Sequence, residues 1–68
     1  MIKKEKNLII EILENNKKTY FCVNRYFGEI EYKFTEDINE ASKFDENQAK
    51  IYTQHYLKDK NCNIVKFV

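Results

Sequence analysis

The chain has no proline and no tryptophan, and its 68 residues include one glycine, one methionine, one histidine and two cysteines. Each shortage removes a class of explanation. Two cysteines do not make a disulfide framework. Cys22, His55 and Cys62 lack the close ligand pairs of a structural zinc site, so no metal or cofactor is expected. With Gly28 as the sole glycine, there is no glycine-rich turn in which a nucleophile could be seated. No apolar run approaches the ~20 residues of a membrane span. Charge of one sign is also missing: the formal net charge is +1, far from the basic excess that marks a broad nucleic-acid footprint. The charged start Met1-Ile-Lys-Lys-Glu-Lys is followed by an apolar run that Glu11 and Glu14 interrupt, without a small-residue cleavage site. A signal peptide is therefore not expected, and the free thiols point to the cytoplasm.

What the chain does have is aromatic bulk. A domain this short buries only about 60% of its unfolded surface, so five Phe and five Tyr must supply much of the core, each burying a large area. Lysine outnumbers arginine eleven to one, and isoleucine and asparagine reach eight each against two alanines. Lys, Asn, Ile, Tyr and Phe use A/T-rich codons, which suggests a low-GC bacterium or its phage as the source.

Tyr20–Phe34 (YFCVNRYFGEIEYKF) is the stretch around which the rest is organised. Ile30, Tyr32 and Phe34 alternate with Glu29, Glu31 and Lys33, the period-two pattern of a half-buried strand. Phe21 and Val23 fall on one face of the preceding run, with Tyr20, Cys22 and Asn24 on the other. Gly28 supplies the positive φ of a hairpin turn.

Upstream, Leu8–Leu13 (LIIEIL) places Leu8, Ile10 and Ile12 on one face as a strand, and Leu8, Ile9, Ile12 and Leu13 in one stripe as a helix. Its β-branched content and the turn-like Asn15-Asn16-Lys17-Lys18 favour a strand entering a hairpin with Tyr20–Phe27. Downstream, a short helical turn over Asp37–Ser42 would direct Ile38, Ala41 and Phe44 inward. Asp45 as N-cap and Gln48 as its capping-box partner open the clearest helix. In that helix Ala49, Tyr52, Tyr56 and Leu57 should face the sheet, with Lys58 and Lys60 at its end and Asn61 stopping it. Asn63–Val68 reads as a final strand. The expected fold is one α+β domain over residues 1–68, a small antiparallel sheet with one packed helix in the order β-β-β-α-β.

Catalytic arrangements find little support. A Cys22–His55 dyad needs a lowered thiol pKa, an orienting group and an oxyanion site, none of which the sequence locates. Glu29 and Glu31 share a strand face and Glu36, Asp37 and Glu40 follow, but no apolar surroundings raise their pKa values and a chain this small has little room for a substrate cleft. The chain is therefore read as non-enzymatic. Tyr20, Tyr26 and Phe27 beside Lys17, Lys18 and Arg25 outline a base-stacking platform with a basic rim, which keeps a nucleic-acid-binding module as the second reading.

The distribution of charge says more than its sum. Between residues 29 and 46 stand seven acids (Glu29, Glu31, Glu36, Asp37, Glu40, Asp45, Glu46) against Lys33 and Lys43 alone, while the flanking segments are net basic. Asp45 and Glu46 serve the helix start. The others form an acidic strand-and-loop surface suited to a basic partner, with Tyr26 and Phe27 at the hairpin tip as apolar anchors.

The stretch YKFTEDINEASKFDENQAKIYTQHYL followed by NIVKFV resembles a pattern in small proteins of phages and mobile elements. There, a strand ending in a phrase like Phe34-Thr35, with Asp37, Ile38, Ala41, Lys43 and Phe44 following, leads to a capped helix with an early alanine, here Ala49, and a terminal strand. Some such proteins, anti-CRISPR proteins among them, inhibit host-defence effectors by stoichiometric binding. The resemblance implies an inhibitor whose partner is a bacterial nuclease or CRISPR effector in the host cytoplasm. The partner-binding residues expected on the charge and anchor arguments are Glu29, Glu31, Glu36, Asp37, Glu40, Tyr26 and Phe27. A homodimer that buries the first strand between protomers is a third reading.

Overall fold

The computed structural model describes residues 6–67. Four strands, β1 (Leu8–Glu14), β2 (Lys17–Tyr26), β3 (Glu29–Thr35) and β4 (Cys62–Lys66), and one helix, α1 (Glu46–Ile51), follow the expected β-β-β-α-β order. The sheet runs β3-β2-β1-β4, and every neighbouring pair is antiparallel. The ambiguous first apolar run is a strand, as its β-branched residues favour. Residues 1–5 and 68 lie outside the described chain, so the expected last strand is assessed over Cys62–Lys66.

Both hairpins close with two residues. Glu14 pairs with Lys17 and Tyr26 with Glu29, leaving Asn15-Asn16 and Phe27-Gly28 as the turns. The turn-like run Asn15-Asn16-Lys17-Lys18 is therefore shorter than its sequence suggests: Lys17 and Lys18 already belong to β2.

Period two sorts the side chains onto two faces, and both faces are covered. On one, Ile10, Ile12 and Phe21 pack with Phe44, Ala49 and Leu57 beneath the helix. Phe21 is its centre, with ring centroids at 5.3 Å to Tyr52, 5.8 Å to Tyr32 and Phe34, and 6.1 Å to Phe44. Full burial of such a side chain contributes about 2–3 kcal/mol. On the other face Ile9, Tyr20 and Ala41 form a smaller cluster flanked by Ile38, Val65 and Phe67. Its cover is a single 3₁₀ turn, Ile38–Glu40, capped by the Asp37 carboxylate accepting from Asn39 N–H at 2.9 Å. The helical turn expected over Asp37–Ser42 is this shorter element.

The segment after that turn enters the sheet. β1 and β2 pair from Glu14↔Lys17 to Glu11↔Tyr20 and then part. Into the opening comes the chain at Ser42–Phe44. Phe44 exchanges backbone bonds with Leu8 at 2.7 and 3.1 Å. Ser42 N–H donates to Phe21 C=O at 3.3 Å, while its hydroxyl accepts from Val23 N–H at 2.8 Å. The backbone groups exposed by the parting strands are thus satisfied, as burial demands.

The capping box forms as expected, with Asp45 Oδ1 accepting from Gln48 N–H at 2.8 Å and Gln48 Oε1 accepting from Asp45 N–H at 3.3 Å. The helix ends sooner than expected. After Ile51 it widens into a π turn, Tyr52–Tyr56, closed by Leu57 N–H donating to Tyr52 C=O at 2.9 Å. The Thr53 hydroxyl donates back to Ala49 C=O at 2.9 Å, a bond that competes with the helical ladder. Lys58 and Lys60 therefore lie beyond the helix, and Lys60 instead pairs with Glu14 at 3.1 Å. Ala49 and Leu57 face the core as expected, whereas Tyr56 is 57% exposed and meets the sheet only at its edge, over Tyr32.

Candidate functional site

The β2–β3 hairpin outruns the sheet. Beyond Val23, β2 pairs with β3 alone, Asn24↔Glu31, Arg25↔Ile30 and Tyr26↔Glu29, so the two strands project as a ribbon whose residues from Arg25 to Glu31 are all exposed. Tyr26, Phe27 and Ile30 present apolar surface there, and Phe27 is completely exposed.

The turn makes this exposure unusual. Phe27 has φ +44° and Gly28 φ +85°, the two positive values of a type I′ turn. Gly28 adopts its value without strain, and open space lies where a Cβ would stand. Phe27 does not: a bulky side chain in the left-handed region costs about 1–2 kcal/mol, and among the described residues its ring is left fully exposed.

The seven residues expected to bind a partner fall into two groups. Tyr26, Phe27, Glu29 and Glu31 come together on the ribbon. Glu36, Asp37 and Glu40 lie past the far end of β3, about 20 Å away at ~3.3 Å per residue. That second group is engaged with its own chain: Glu36 pairs with Lys17 at 2.6 Å, Asp37 caps the 3₁₀ turn, and Glu40 Oε2 accepts from the Thr35 hydroxyl at 3.0 Å. On the ribbon, Glu31 lies 3.8 Å from Lys33. Alternation predicts a half-buried Ile30, and it is 48% exposed because the helix covers the sheet at Tyr32 and not at the ribbon.

The base-stacking platform does not assemble. Tyr20 is 9% exposed, covered by the 3₁₀ segment, and cannot stack a base. Lys17 and Lys18 stand at the opposite end of β2 from Arg25 and Tyr26, about 25 Å away.

The thiols are poorly placed for nucleophilic work. Burial pushes both above the ordinary cysteine range. Cys22 Sγ donates to Glu40 C=O at 3.3 Å on the face away from the helix, whereas His55 lies on the exposed side of the π turn. Among the described residues no three of His, Cys, Asp and Glu gather as metal ligands, and no helix is long and apolar enough to cross a membrane. At the edge of β3, Tyr32 is held up to about 12, first by its hydrogen bond to Tyr56 and then by desolvation.

Comparison with protein-family models, curated proteins and solved structures finds no match for this chain.

Proposed function

We propose that this chain is a non-enzymatic binding protein that docks through its projecting hairpin onto a basic surface of a nucleic-acid-handling effector and occludes it, acting as an inhibitor of host defence. The observation that carries the docking reading is Phe27: an aromatic ring fully in water, at a turn position whose φ disfavours it. An anchor that enters a partner's pocket accounts for both features, since central aromatic side chains dominate binding energy. Glu29 and Glu31 flank the anchor and supply the charge that a basic partner would meet. The inhibitor role and the effector class rest on the resemblance of Phe34–Ala49 to small phage proteins.

The test is an affinity pull-down of tagged protein from a low-GC bacterial lysate, with and without nuclease, repeated with Phe27→Asn and Glu29→Lys. Recovery of one nuclease or CRISPR effector by the wild type, insensitive to nuclease and lost in both variants, supports the proposal. Equal recovery by Phe27→Asn removes the tip from the interface. Loss of every partner on nuclease treatment turns the reading toward nucleic acid, and a salt titration by gel shift then measures the phosphate contacts.

A further inference from the structure

An antiparallel sheet that does not close has two edges, here β3 and β4. Natural edge strands are protected against pairing by short length, charged side chains, proline, bulges or a covering helix or loop. β4 is short, five residues with Lys66 at its end. β3 is seven residues long, contains no proline, and pairs with β2 residue for residue from Glu29 to Thr35 without a bulge. Its charges are of both signs, Glu29, Glu31 and Lys33, with Lys33 lying 3.8 Å from Glu31. Ile30 and Phe34 on its helix-side face are 48% and 47% exposed.

The order of residues along this edge is self-complementary. In an antiparallel pairing of β3 with itself centred on Tyr32, Tyr32 meets Tyr32, Ile30 meets Phe34, Glu31 meets Lys33 and Glu29 meets Thr35. Apolar residues oppose apolar ones on one face, and opposite charges oppose each other on the other. The backbone agrees with the same register. A two-residue hairpin closes on a hydrogen-bonded pair, here Tyr26 and Glu29, so Glu29, Glu31, Lys33 and Thr35 direct their backbone groups to β2. Ile30, Tyr32 and Phe34 direct theirs outward. Those three are the residues that a Tyr32-centred pairing would hydrogen-bond, which leaves Glu31 and Lys33 in the closer, non-hydrogen-bonded positions. The other edge has no such pattern: β4 centred on Ile64 would set Lys66 against Cys62 and Asn63 against Val65.

We propose that the free edge of β3 pairs with β3 of a second copy of this chain, antiparallel and centred on Tyr32, forming a two-fold dimer with one continuous eight-stranded sheet. The interface is isologous, the same strand serving both sides. The two hairpin tips then point in opposite directions from the dimer axis, and each keeps its Phe27 in solvent.

The experiment measures sedimentation across a concentration series for the wild type, Glu31→Lys, Lys33→Glu and an equimolar mixture of the two variants. In a homodimer of Glu31→Lys, lysine faces lysine at both symmetry-related charge pairs. In a homodimer of Lys33→Glu, glutamate faces glutamate at both. Each variant alone should dimerise about tenfold more weakly than the wild type, from like charges directly opposite in a strand pair. The mixture allows a heterodimer in which each cross-strand pair again joins unlike partners only if the two chains' charges are complementary: one chain then carries two lysines and the other two glutamates, so both pairs are opposite in sign. Heterodimers should therefore form at wild-type strength. Both positions are solvent-exposed, and amide exchange of the wild type gives a reading that needs no variant: protection of Ile30, Tyr32 and Phe34 amides should rise with concentration. A wild type that stays monomeric, single variants that dimerise as tightly as the wild type, a mixture that fails to recover, or outward amides that exchange freely in the dimer would each overturn the proposal.

Discussion

The two hairpin turns have the same geometry and opposite chemistry. Asn15 and Asn16 sit at φ +50° and +63°, Phe27 and Gly28 at +44° and +85°. Asparagine tolerates the left-handed region because its short polar side chain bonds locally, so the first turn needs no explanation beyond folding. The second turn has an ideal residue at its second position and an ill-suited one at its first. The first turn closes strands anchored by β4 and by the Lys60–Glu14 pair. The second closes a ribbon that has left the sheet behind. Where backbone preference and side-chain choice agree, the residues serve the fold; where they disagree in the open, as at Phe27, the proposed docking role supplies a reason that the fold does not.

The largest effect is expected at Gly28. Gly28→Val places a β-branched residue at φ +85° and should destabilise the domain by about 2 kcal/mol in a urea melt. A similar loss on Asn16→Val would show that the two turns carry equal geometric demand. Phe27→Asn gives the second turn the chemistry of the first. It should stabilise the domain by about 1 kcal/mol while weakening partner binding tenfold or more; a variant less stable than the wild type would refute the strain assigned to Phe27. Asn16→Gly makes the first turn Asn-Gly, the most favoured type I′ pair, and should add a few tenths of a kcal/mol, because little strain remains there to relieve.

The smallest effect at neutral pH is none at all. Tyr32 ionises in the folded chain near 12 instead of its ordinary 10. Folding is therefore favoured fully below pH 10, and this contribution is lost as pH rises from about 10 to about 12. Tyr56→Phe removes the hydrogen bond that is the first cause of the shift, and should bring the Tyr32 phenolate absorbance transition back toward 10. An unchanged titration in that variant would show that Tyr56 does not hold the Tyr32 proton.

The sequence is legible where a local rule settles a local choice. Alternation places Ile10, Ile12 and Phe21 on one face, and Asp45 with Gln48 marks the start of the helix to the residue. It misleads where neighbours decide. Tyr20 alternates like a residue available to solvent, yet the 3₁₀ segment buries it. Ile30 and Phe34 alternate like buried residues, yet no helix covers them at the sheet edge. Tyr56 keeps helical spacing from Tyr52, but the π turn carries it to the rim. Phe27 beside Gly28 is the one readable sign of strain, since a glycine flanked by paired strands implies a type I′ turn and that turn has a poor place for phenylalanine.

The sequence settled the element order, the reversal at Gly28 and the helix cap, because period, turn chemistry and capping act over a few residues, while it left Leu8–Leu13 open between strand and helix. Tertiary structure decided that β1 and β2 part to admit Ser42–Phe44, that Glu36, Asp37 and Glu40 bind their own chain, and that the ribbon projects beyond the sheet. Those outcomes depend on which backbone groups are left unsatisfied when all the elements meet, a condition that no short stretch of the chain contains.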